Sequence, residues 1–464
     1  MISGKETYLK IIILGSGTVG STLATLLSQE DNDLTVVDQD PVSLHHLEEE
    51  ADINTITGSC SFPNNLVKAG IREADMVVAV TGSDEINIVS CLISKVLSPQ
   101  VKTIARIREG SYLKEKTKKA IEEGVIPVDI VVSPERLITN HIQALIETPG
   151  SLQVLEFGDG LLHLVGVRAV NGGPLINHEI GDLKKHMPNV DTRVAAIFRG
   201  KGAIIPQGNT TVLAGDEVFF IARKKDARKV INEMRTKEDP YKYVVIAGGG
   251  RIGSNLAAQI EKNHNVKIIE ESHDKAKYLS EKLEYSTVLE GNVSDKNLLH
   301  EENIESCDVF VAVTNDDEAN VMSCMLAKEM GAHKVIALIN NEAYVDLVQG
   351  KGIDVAIAPS QITIGTFLSE LAGEDVVKVH SLRRGAAEAI ETVVRSSNNG
   401  KEDVVGKELG TIELPIGATI GAIIRKNKAK IAHDDVKLRE DDHVILFLTD
   451  KNLLNQVQQI FSPS

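Results

Sequence analysis

The sequence is poor in three features that define whole classes of protein: paired cysteines, long apolar runs and an excess of basic residues. Its four cysteines show no CxxC spacing, so buried thiols in a reducing compartment are expected rather than a disulfide framework or a metal site. No apolar stretch approaches the ~20 residues that a membrane-spanning helix needs, and the N-terminus lacks the pattern of a secretion signal. The net charge of −16 argues against a nucleic-acid groove and against direct attachment to anionic lipid.

The composition is that of a soluble globular protein. Apolar residues make up 42% of the chain and charged residues 25%, both ordinary values for such proteins. A length of 464 residues is enough for three or four domains with well-buried cores.

The most informative feature is an internal repeat with a nearly fixed offset, such as the 233 residues from Gly15 to Gly248. Each copy has a GxGxxG motif between an apolar run and a helical stretch, followed by an acidic residue. A single GxGxxG is weak evidence because glycine turns are common, but two copies in the same context indicate a duplicated nucleotide-binding protein. The matched positions are residues 15–20 with 248–253, Asp38 with Glu270, Gly58 with Gly291, Asp75 with Asp308, Cys91 with Cys324, and residues 79–87 with 312–320.

Short apolar strands alternate with helical stretches in each half, which predicts a doubly wound parallel sheet covered on both faces. A segment of different character follows each unit, with short alternating strands, and these two segments also match each other. The predicted fold class is α/β, with two Rossmann-like doubly wound parallel-sheet domains, each followed by a small α+β domain. The predicted domains are residues 9–148, 150–234, 241–372 and 373–464. In the first half the predicted strands are residues 10–14, 34–37, 76–80, 102–105 and 130–132, and the predicted helices 19–29, 41–50, 84–97 and 114–123.

Each nucleotide-binding unit should end in a helix with a wide apolar face. The first begins at Ser133 and Pro134, a serine cap followed by proline at the first helical position; its counterpart begins at Pro359. Such a helix packs either on its own sheet or across to a neighbouring copy. The breakers that follow, such as Ala372-Gly373, favour the crossing, and a charged substitution at Ile142 or Leu145 is then expected to weaken an oligomer.

The glycine motifs imply a specific chemistry. The first glycine allows the tight turn, the second lets the backbone approach a pyrophosphate, and the third lets helix and strand pack closely. A carboxylate at Asp38 or Glu270 would accept hydrogen bonds from an adenosine ribose and repel a 2′-phosphate, which favours NAD(H) or an adenine nucleotide over NADP. The alternative for both acids is an ordinary surface position at a strand end.

The two predicted sites differ in their basic residues. Arg251 lies in the second glycine loop where the first has Thr18, whereas Arg106 and Arg108 end a strand whose counterpart has Leu338 and Asn340. An arginine at the carboxyl edge of the sheet can grip phosphates bidentately. The alternative is a solvated or dimer-facing arginine.

Nothing in the sequence supplies an evident catalytic group. A dehydrogenase needs a proton donor or acceptor beside the nicotinamide, yet no histidine of one half falls on a histidine of the other. The repeated group Asp84, Glu85 and Asn87 follows a strand end, where the aspartate can cap the next helix and the asparagine can bond the glycine loop or a ligand. Two cofactor sites without a substrate site favour sensing, and the alternative is an NAD-dependent oxidoreductase of a small metabolite.

The whole chain resembles the TrkA family, the peripheral regulatory subunits of Trk-type bacterial potassium uptake systems, which are built of RCK or KTN domains. The segments that carry the resemblance are residues 105–108, 312–320, 343–349 and 381–391. The resemblance implies a cytoplasmic homo-oligomeric ring, a dimer or tetramer of tandem chains, beneath a membrane potassium-translocating subunit of the TrkH or TrkG type. It implies NAD(H) and ATP or ADP as effectors.

One departure from the family pattern is Gly58-Ser59-Cys60, where relatives more often have Gly-Asn or Gly-Asp. No catalytic or metal-ligating residue is assigned. The residues expected to hold the nucleotides are Gly15, Ser16, Gly17, Thr18, Val19, Gly20, Asp38, Ser59, Cys60, Thr81 and Arg106 in the first half, and Gly248, Gly250, Arg251, Ile252, Gly253, Glu270, Asn292, Val293 and Thr314 in the second.

Overall fold

The structure is a computed structural model that describes residues 9–29, 32–200, 202–371, 375–383, 386–396, 404–450 and 453–462. The predicted breakers Ala372-Gly373 and part of the segment 381–391 therefore lie outside the described residues. The chain divides into two compact units, one ending at Leu137 and the other beginning at Ile138. No described helix is both long and apolar enough to cross a bilayer.

The first unit is built on a six-stranded parallel sheet of order β3-β2-β1-β4-β5-β6. The order reverses beside β1, so the carboxyl ends of β1 and β4 form the crevice where such sheets bind ligands. The strands are β1 (Lys10–Leu14), β2 (Asp33–Asp38), β3 (Asn54–Thr57), β4 (Met76–Ala79), β5 (Lys102–Arg106) and β6 (Ile130–Val132). The helices are α1 (Thr18–Leu27), α2 (Pro41–Glu50), α3 (Pro63–Lys68), α4 (Asp84–Leu97), α5 (Glu115–Glu122) and α6 (Pro134–Glu147), the last of which continues into the second unit.

The second unit contains a second parallel sheet with the same topology, of order β14-β13-β12-β15-β16-β17. This confirms the predicted pair of Rossmann-like folds. Its strands are β12 (Tyr243–Ala247), β13 (Asn265–Glu270), β14 (Thr287–Glu290), β15 (Val309–Ala312), β16 (Lys334–Leu338) and β17 (Val355–Ile357). Its helices are α9 (Arg251–Ile260), α10 (His273–Lys282), α11 (Lys296–Glu301), α12 (Asp317–Glu329), α13 (Glu342–Val348) and α14 (Pro359–Leu371).

Both faces of this second sheet are buried, because successive side chains of a strand point to opposite faces. Val244 and Ile246 of β12 belong to one apolar cluster, and Val245 and Ala247 to another. The continuous apolar runs of the sequence therefore mark strands covered on both sides, as predicted.

The helix α6 shows where the apolar helix of the first half goes. From Ile138 onward its apolar face belongs to the cluster that covers the second parallel sheet, and Ile142 and Leu145 are fully buried there. The copy to which this helix crosses is thus the second half of the same chain. The expectation that Ile142 and Leu145 contact a separate chain is wrong, because their surroundings are already filled within the chain.

Two small domains complete the second unit, each with a five-stranded antiparallel sheet, of order β10-β9-β11-β8-β7 and β18-β19-β22-β20-β21. They pack on each other through a shared apolar cluster that includes Phe157, Phe198, Leu382 and Phe447. The first has β7 (Ser151–Phe157), β8 (Leu162–Arg168), β9 (Thr192–Arg199), β10 (Gly202–Ile204), β11 (Glu217–Arg223), α7 (Leu183–His186) and α8 (Lys224–Met234). The second has β18 (Val376–Leu382), β19 (Ala387–Val393), β20 (Ala418–Arg425), β21 (Lys428–Ile431), β22 (His443–Leu448) and α15 (Leu454–Phe461).

Candidate nucleotide sites

The first and third glycines of each motif are required by the fold itself. Gly15 and Gly248 have φ angles of +109° and +107°, a region that side chains rarely adopt. A Cβ on Gly20 would lie 1.9 Å from the carbonyl oxygen of Gly15, and a Cβ on Gly253 would lie 1.9 Å from that of Gly248. The helices α1 and α9 can therefore approach their strands only because these positions lack side chains.

The middle glycines have no such internal reason. Gly17 and Gly250 have ordinary φ angles of −67° and −64°, are exposed, and a Cβ on either would meet no atom within 4 Å. Both stand at the N-terminus of a helix, where free amides and the helix dipole favour an anion. The open space in front of each helix suits a pyrophosphate, so the residues present fit the predicted cofactor.

The neighbouring loop residues are arranged alike in the two halves. Thr18 and Arg251 are exposed at the first position of α1 and α9, and Val19 and Ile252 behind them are half-buried. Arg251 is thus an exposed cation at the first position of α9, directly after the second glycine loop.

The two acidic residues anchor the glycine loops. Asp38 accepts hydrogen bonds from the amides of Ser16 at 2.6 Å and Asp40 at 2.9 Å. Glu270 accepts from the amides of Gly249 at 2.8 Å and Ser272 at 2.9 Å. Each carboxylate oxygen has further lone pairs, so the acids can hold the turn and still accept a ribose hydroxyl.

Thr81 and Thr314 stand opposite the first glycines, with their backbone nitrogens 3.0 Å from the Cβ position of Gly15 and Gly248. The amide and hydroxyl of Thr81 donate to Asn87 Oδ1 at 2.9 and 2.7 Å, and Asn87 Nδ2 donates to the carbonyl of Arg106 at 2.9 Å. The repeat is the same around Thr314.

Asn320 accepts from Thr314 at 2.9 and 2.7 Å and donates to the carbonyl of Leu338 at 2.9 Å. The suggestion that this repeated asparagine bonds the glycine loop is wrong, because its partners are at strand ends. The asparagine is fully buried in both halves. It connects the carboxyl ends of two adjacent strands and so fixes the base of the crevice.

The repeated aspartates also have a different role from the one expected. The cap of α4 is Ser83, which accepts from the amide of Ile86 at 3.2 Å, and the cap of α12 is Asp316. Asp84 instead accepts from the amides of Arg108 and Glu109 at 2.9 and 2.8 Å.

Asp317 binds the equivalent loop of the second half, accepting from the amides of Asn340 and Asn341 at 2.9 and 2.8 Å. These acids position the loops that follow β5 and β16. Both acids accept mainly from backbone amides of these loops, and Asp84 Oδ1 also lies 3.5 Å from Arg108 Nε.

The strand ends differ as the sequence indicated. Arg106 is half-buried, and its Nε is buried without a hydrogen-bond partner among the described residues. Burial lowers the pKa of Arg106, with a further contribution from Arg108 and opposition from Glu135 and Asp84. An unpaired guanidinium donor beside the crevice favours an anionic ligand. Its counterpart Leu338 is apolar and 5% exposed, so the second half lacks this feature.

Of the four residues expected near the adenine end of the ligands, two have buried side chains and two have side chains that solvent reaches. The side chains of Cys60 and Val293 are buried, and burial raises the pKa of the Cys60 thiol to about 12 while its Sγ donates to the carbonyl of Val37 at 3.2 Å. Only their backbone is available to a ligand. Ser59 is half-buried and Asn292 is exposed, so these two side chains can reach one.

Ser43 is a neighbour of the site that the sequence did not indicate. Its hydroxyl lies 2.9 Å from Ser16 Oγ and donates to the Ser16 carbonyl at 3.1 Å, which fastens α2 to the glycine loop. A serine in the first turn of a helix is too ordinary to mark such a contact.

Comparison with known proteins decides the family. The TrkA-N domain model matches residues 11–134 and 244–359, and the TrkA-C domain model matches residues 164–235. The chain belongs to the TrkA family. It is 51% identical over 453 residues to the "Trk system potassium uptake protein TrkA" of Halomonas elongata, covering 98% of both chains. It is 48% identical over 456 residues to the protein of that name from Vibrio alginolyticus, covering 98% of this chain and 99% of the relative.

Solved structures agree on the fold. The GsuK RCK domain superposes with a TM-score of 0.61 at 19% identity, covering 100% of this chain and 97% of that one. The GsuK channel bound to NAD gives a TM-score of 0.61 at 18% identity, covering 100% and 80%. The tandem RCK architecture is thereby confirmed. The relatives are named as potassium uptake proteins, so the chain belongs with these and not with oxidoreductases.

Proposed function

We propose that this protein is a cytoplasmic nucleotide-sensing subunit that gates a membrane potassium-translocating subunit of the TrkH or TrkG type in response to NAD(H) and to ATP or ADP. The four domains would follow the limits predicted from the sequence. The observation that carries the proposal is the pair of open cradles at Gly17 and Gly250, each with an acid, Asp38 or Glu270, that anchors its loop. Solved structures of GsuK bound to NAD and to ADP share this fold, which supports both ligands.

Gating requires that nucleotide binding changes something outside the site. In the second half, α9 begins at the glycine loop, and its Leu256, Ala257 and Ile260 belong to the same apolar cluster as Ile142 and Leu145 of α6. The next element after α6 is β7 of the first small domain. A displacement of α9 on nucleotide binding is therefore passed through packed side chains to that domain, because a close-packed interior transmits strain.

The same connection has a polar component. Lys334, at the start of β16, is 5% exposed and donates to the carbonyls of Leu145 at 3.3 Å and Ser151 at 2.9 Å. It joins the second nucleotide sheet to the end of α6 and to the start of β7. A nucleotide can shift the pore only as far as its affinity differs between the two arrangements of these elements.

Assembly into a homo-oligomer is supported by exposed apolar side chains at repeat-equivalent positions. Val89 and Leu92 on α4 are 41% and 45% exposed, and Met322 and Met325 on α12 are 61% and 42% exposed. In each helix the two positions are three residues apart and share a face. A second copy of the chain is the occupant that this repetition favours. With a net charge of −16, attachment to the inner face of the membrane would go through the protein partner.

The test is calorimetric titration followed by reconstitution. We expect the full chain to bind NADH and ATP more tightly than NADPH, and Asp38→Asn with Glu270→Gln to reduce the preference for NADH over NADPH. Liposomes carrying the potassium-translocating subunit of its own Trk system should show a potassium flux that depends on this protein and changes with the nucleotide added. A flux indifferent to every nucleotide, with tight NADH binding, would reject the gating role and leave the binding sites standing.

A further inference from the structure

The two small domains meet at two equivalent junctions, and one of them contains a cavity of about 540 Å³. Residues 151–168 of the first domain match residues 376–393 of the second, strand for strand and with the same irregularity near the start of β7 and β18. In each junction the residue that follows the first strand of one domain, Arg383 or Gly158, lies against the sheet of the other. The junctions differ at a few positions, and those differences define a site.

One junction is filled by an arginine. Arg383, at the tip after β18, places its Nε 3.1 Å from Glu217 Oε2, and Arg168 Nη2 lies 3.0 Å from the other oxygen of that carboxylate. The Arg383 guanidinium also lies 4.8 Å from the centre of the Phe198 ring. This junction is therefore a seat for a guanidinium, with a carboxylate at one side and an apolar wall at the other.

In the other junction the arginine is replaced by glycine. Gly158 stands where the second domain has Arg383, and Ile424 stands where the first has Phe198. Both Gly158 and Ile424 line the cavity. The cavity is thus lined by the two residues that replace Arg383 and Phe198, and a Cβ on Gly158 would lie 2.2 Å from Ile424 Cδ1.

The carboxylate of this second seat comes from Glu391. It is 2% exposed and lines the cavity, and it stands where the first domain has Gly166. Its Oε2 accepts from the Gly158 amide at 3.2 Å and its Oε1 lies 2.8 Å from His443 Nδ1. Lys378, its cross-strand neighbour, also lines the cavity but donates to the carbonyl of Glu156 at 3.2 Å. Among the described residues no lysine or arginine forms an ion pair with Glu391, whereas Glu217 has two such partners.

The rim of the cavity offers cations to an anionic end of a ligand. Lys426 and Arg439 are exposed at the rim. The acids beside them are already engaged, Asp441 by Arg395 and Glu440 by Ser396 Oγ at 3.0 Å. Arg425 Nε and Nη2 donate to the Asp442 carboxylate at 2.7 and 2.6 Å. This ion pair forms part of the cavity wall, so Arg425 is not available to a ligand.

We propose that this cavity binds a small zwitterion of the basic amino-acid type, with its guanidinium or ammonium group on Glu391 and its carboxylate toward Lys426 and Arg439. The volume lies in the range of pockets that enclose small molecules. The site belongs to the small domains alone and is separate from both glycine loops. It gives the chain a second input, independent of the nucleotides.

The test titrates the full chain with L-arginine by calorimetry, with L-citrulline and agmatine as comparison probes. We expect one saturable arginine site per chain. Citrulline, which has nearly the same shape but a neutral head, should bind at least tenfold more weakly, because the charge-assisted contact with Glu391 is lost. Agmatine, which lacks the carboxylate, should also bind more weakly than arginine.

The matched variants are Glu391→Gln and Glu217→Gln, the same change in the open and in the filled junction. The first should weaken arginine binding at least tenfold and the second should leave it unchanged. If Glu391→Gln fails to fold, the double variant Gly158→Arg with Ile424→Val tests the proposal instead, because it places an arginine side chain in the open junction. Ile424→Val alone is its control. At the equivalent position of the other domain, Arg383 has φ +43°, close to the +56° of Gly158, so an arginine can adopt this backbone conformation. Valine lacks the Cδ1 atom that would lie 2.2 Å from the new Cβ. This double variant should fold and lose arginine binding.

Three outcomes would overturn the proposal. These are the absence of a saturable arginine site in the wild type, equal affinity for citrulline and arginine, and arginine binding that Glu391→Gln leaves unchanged in a folded chain. Loss of nucleotide binding in any variant is not expected, so failure of this site and failure of the nucleotide sites are distinguishable.

Discussion

The open cradle at Gly17 makes a prediction that separates folding from binding. Gly17→Ala puts a methyl group where the chain leaves free space, whereas Gly20→Ala puts one 1.9 Å from the carbonyl oxygen of Gly15. The two substitutions are chemically the same and three residues apart. We expect Gly17→Ala to weaken nucleotide binding and leave stability nearly unchanged, and Gly20→Ala to lower stability.

The magnitudes follow from these contacts. At Gly17, alanine lowers the conformational entropy of the unfolded chain, which stabilises the fold, but it caps the helix slightly less well than glycine. The two effects nearly cancel, so the free energy of unfolding should change by less than about 1 kcal/mol. At Gly20 the helix must move outward, which should cost about 2–3 kcal/mol. For a domain of this size that lowers the melting temperature by about 5–10 °C. Loss of one charge-assisted phosphate contact at Gly17 should weaken nucleotide binding roughly tenfold to hundredfold.

The assay is NADH titration by fluorescence, with thermal melting of the same samples. Gly250→Ala is the matched variant in the second half. A chain carrying both Gly17→Ala and Gly250→Ala should bind NADH more weakly at both sites while melting close to the wild type. The reasoning is refuted if Gly17→Ala binds NADH normally, or if it melts as early as Gly20→Ala. Either result would mean that the space in front of α1 is not reserved for the ligand.

Three further predictions concern charge and burial. Arg106→Ala should weaken ATP more than NADH, because Arg106 contributes an unpaired donor beside the crevice; equal losses in calorimetry would contradict this. Leu145→Glu puts a carboxylate at a fully buried position, and we expect a loss of more than about 3 kcal/mol, seen as an early thermal transition and not as a folded chain of lower mass in light scattering. Burial lowers the pKa of Lys334 to about 8, below the 10.5 of an exposed lysine, so the unfolded chain binds more protons between these values. The stability of the wild type should therefore rise from pH 8 to 10 relative to Lys334→Met, and parallel pH profiles of the two melting temperatures would count against this.

The sequence predicts most of the two nucleotide folds, and the reason is visible in individual elements. The run Lys10–Leu14 and the helix Asp84–Leu97 lie within a residue of their predicted limits because they combine a strong apolar pattern with clear start signals. The strand Asn54–Thr57 and the helix Pro63–Lys68 were not predicted. The strand is a polar edge with one large apolar residue, and the helix is too short to show a period.

The sequence indicated which polar residues matter, but not which groups they form hydrogen bonds with. The repeat correctly singled out Asp84 and Asn87 as a unit, yet spacing alone could not say which backbone groups they bind. Asp84 accepts from a loop 24 residues later and Asn87 donates to a strand end 19 residues later. Such contacts depend on how neighbouring strands are ordered in the sheet, and that order is a property of the folded chain.

Duplication itself is the best guide to where this chain has specialised. A feature kept in both halves, such as the asparagine that ties the strand ends, serves the shared fold, and its loss in either half would open a crevice. A feature present in one half alone cannot be required by that fold, because the other half folds without it. Arg106 against Leu338 and Arg383 against Gly158 are differences of this second kind, one at a nucleotide site and one at a junction between the small domains. Each replaces a charged side chain by an apolar residue or by space, so each changes what can bind there while the surrounding strands keep their register.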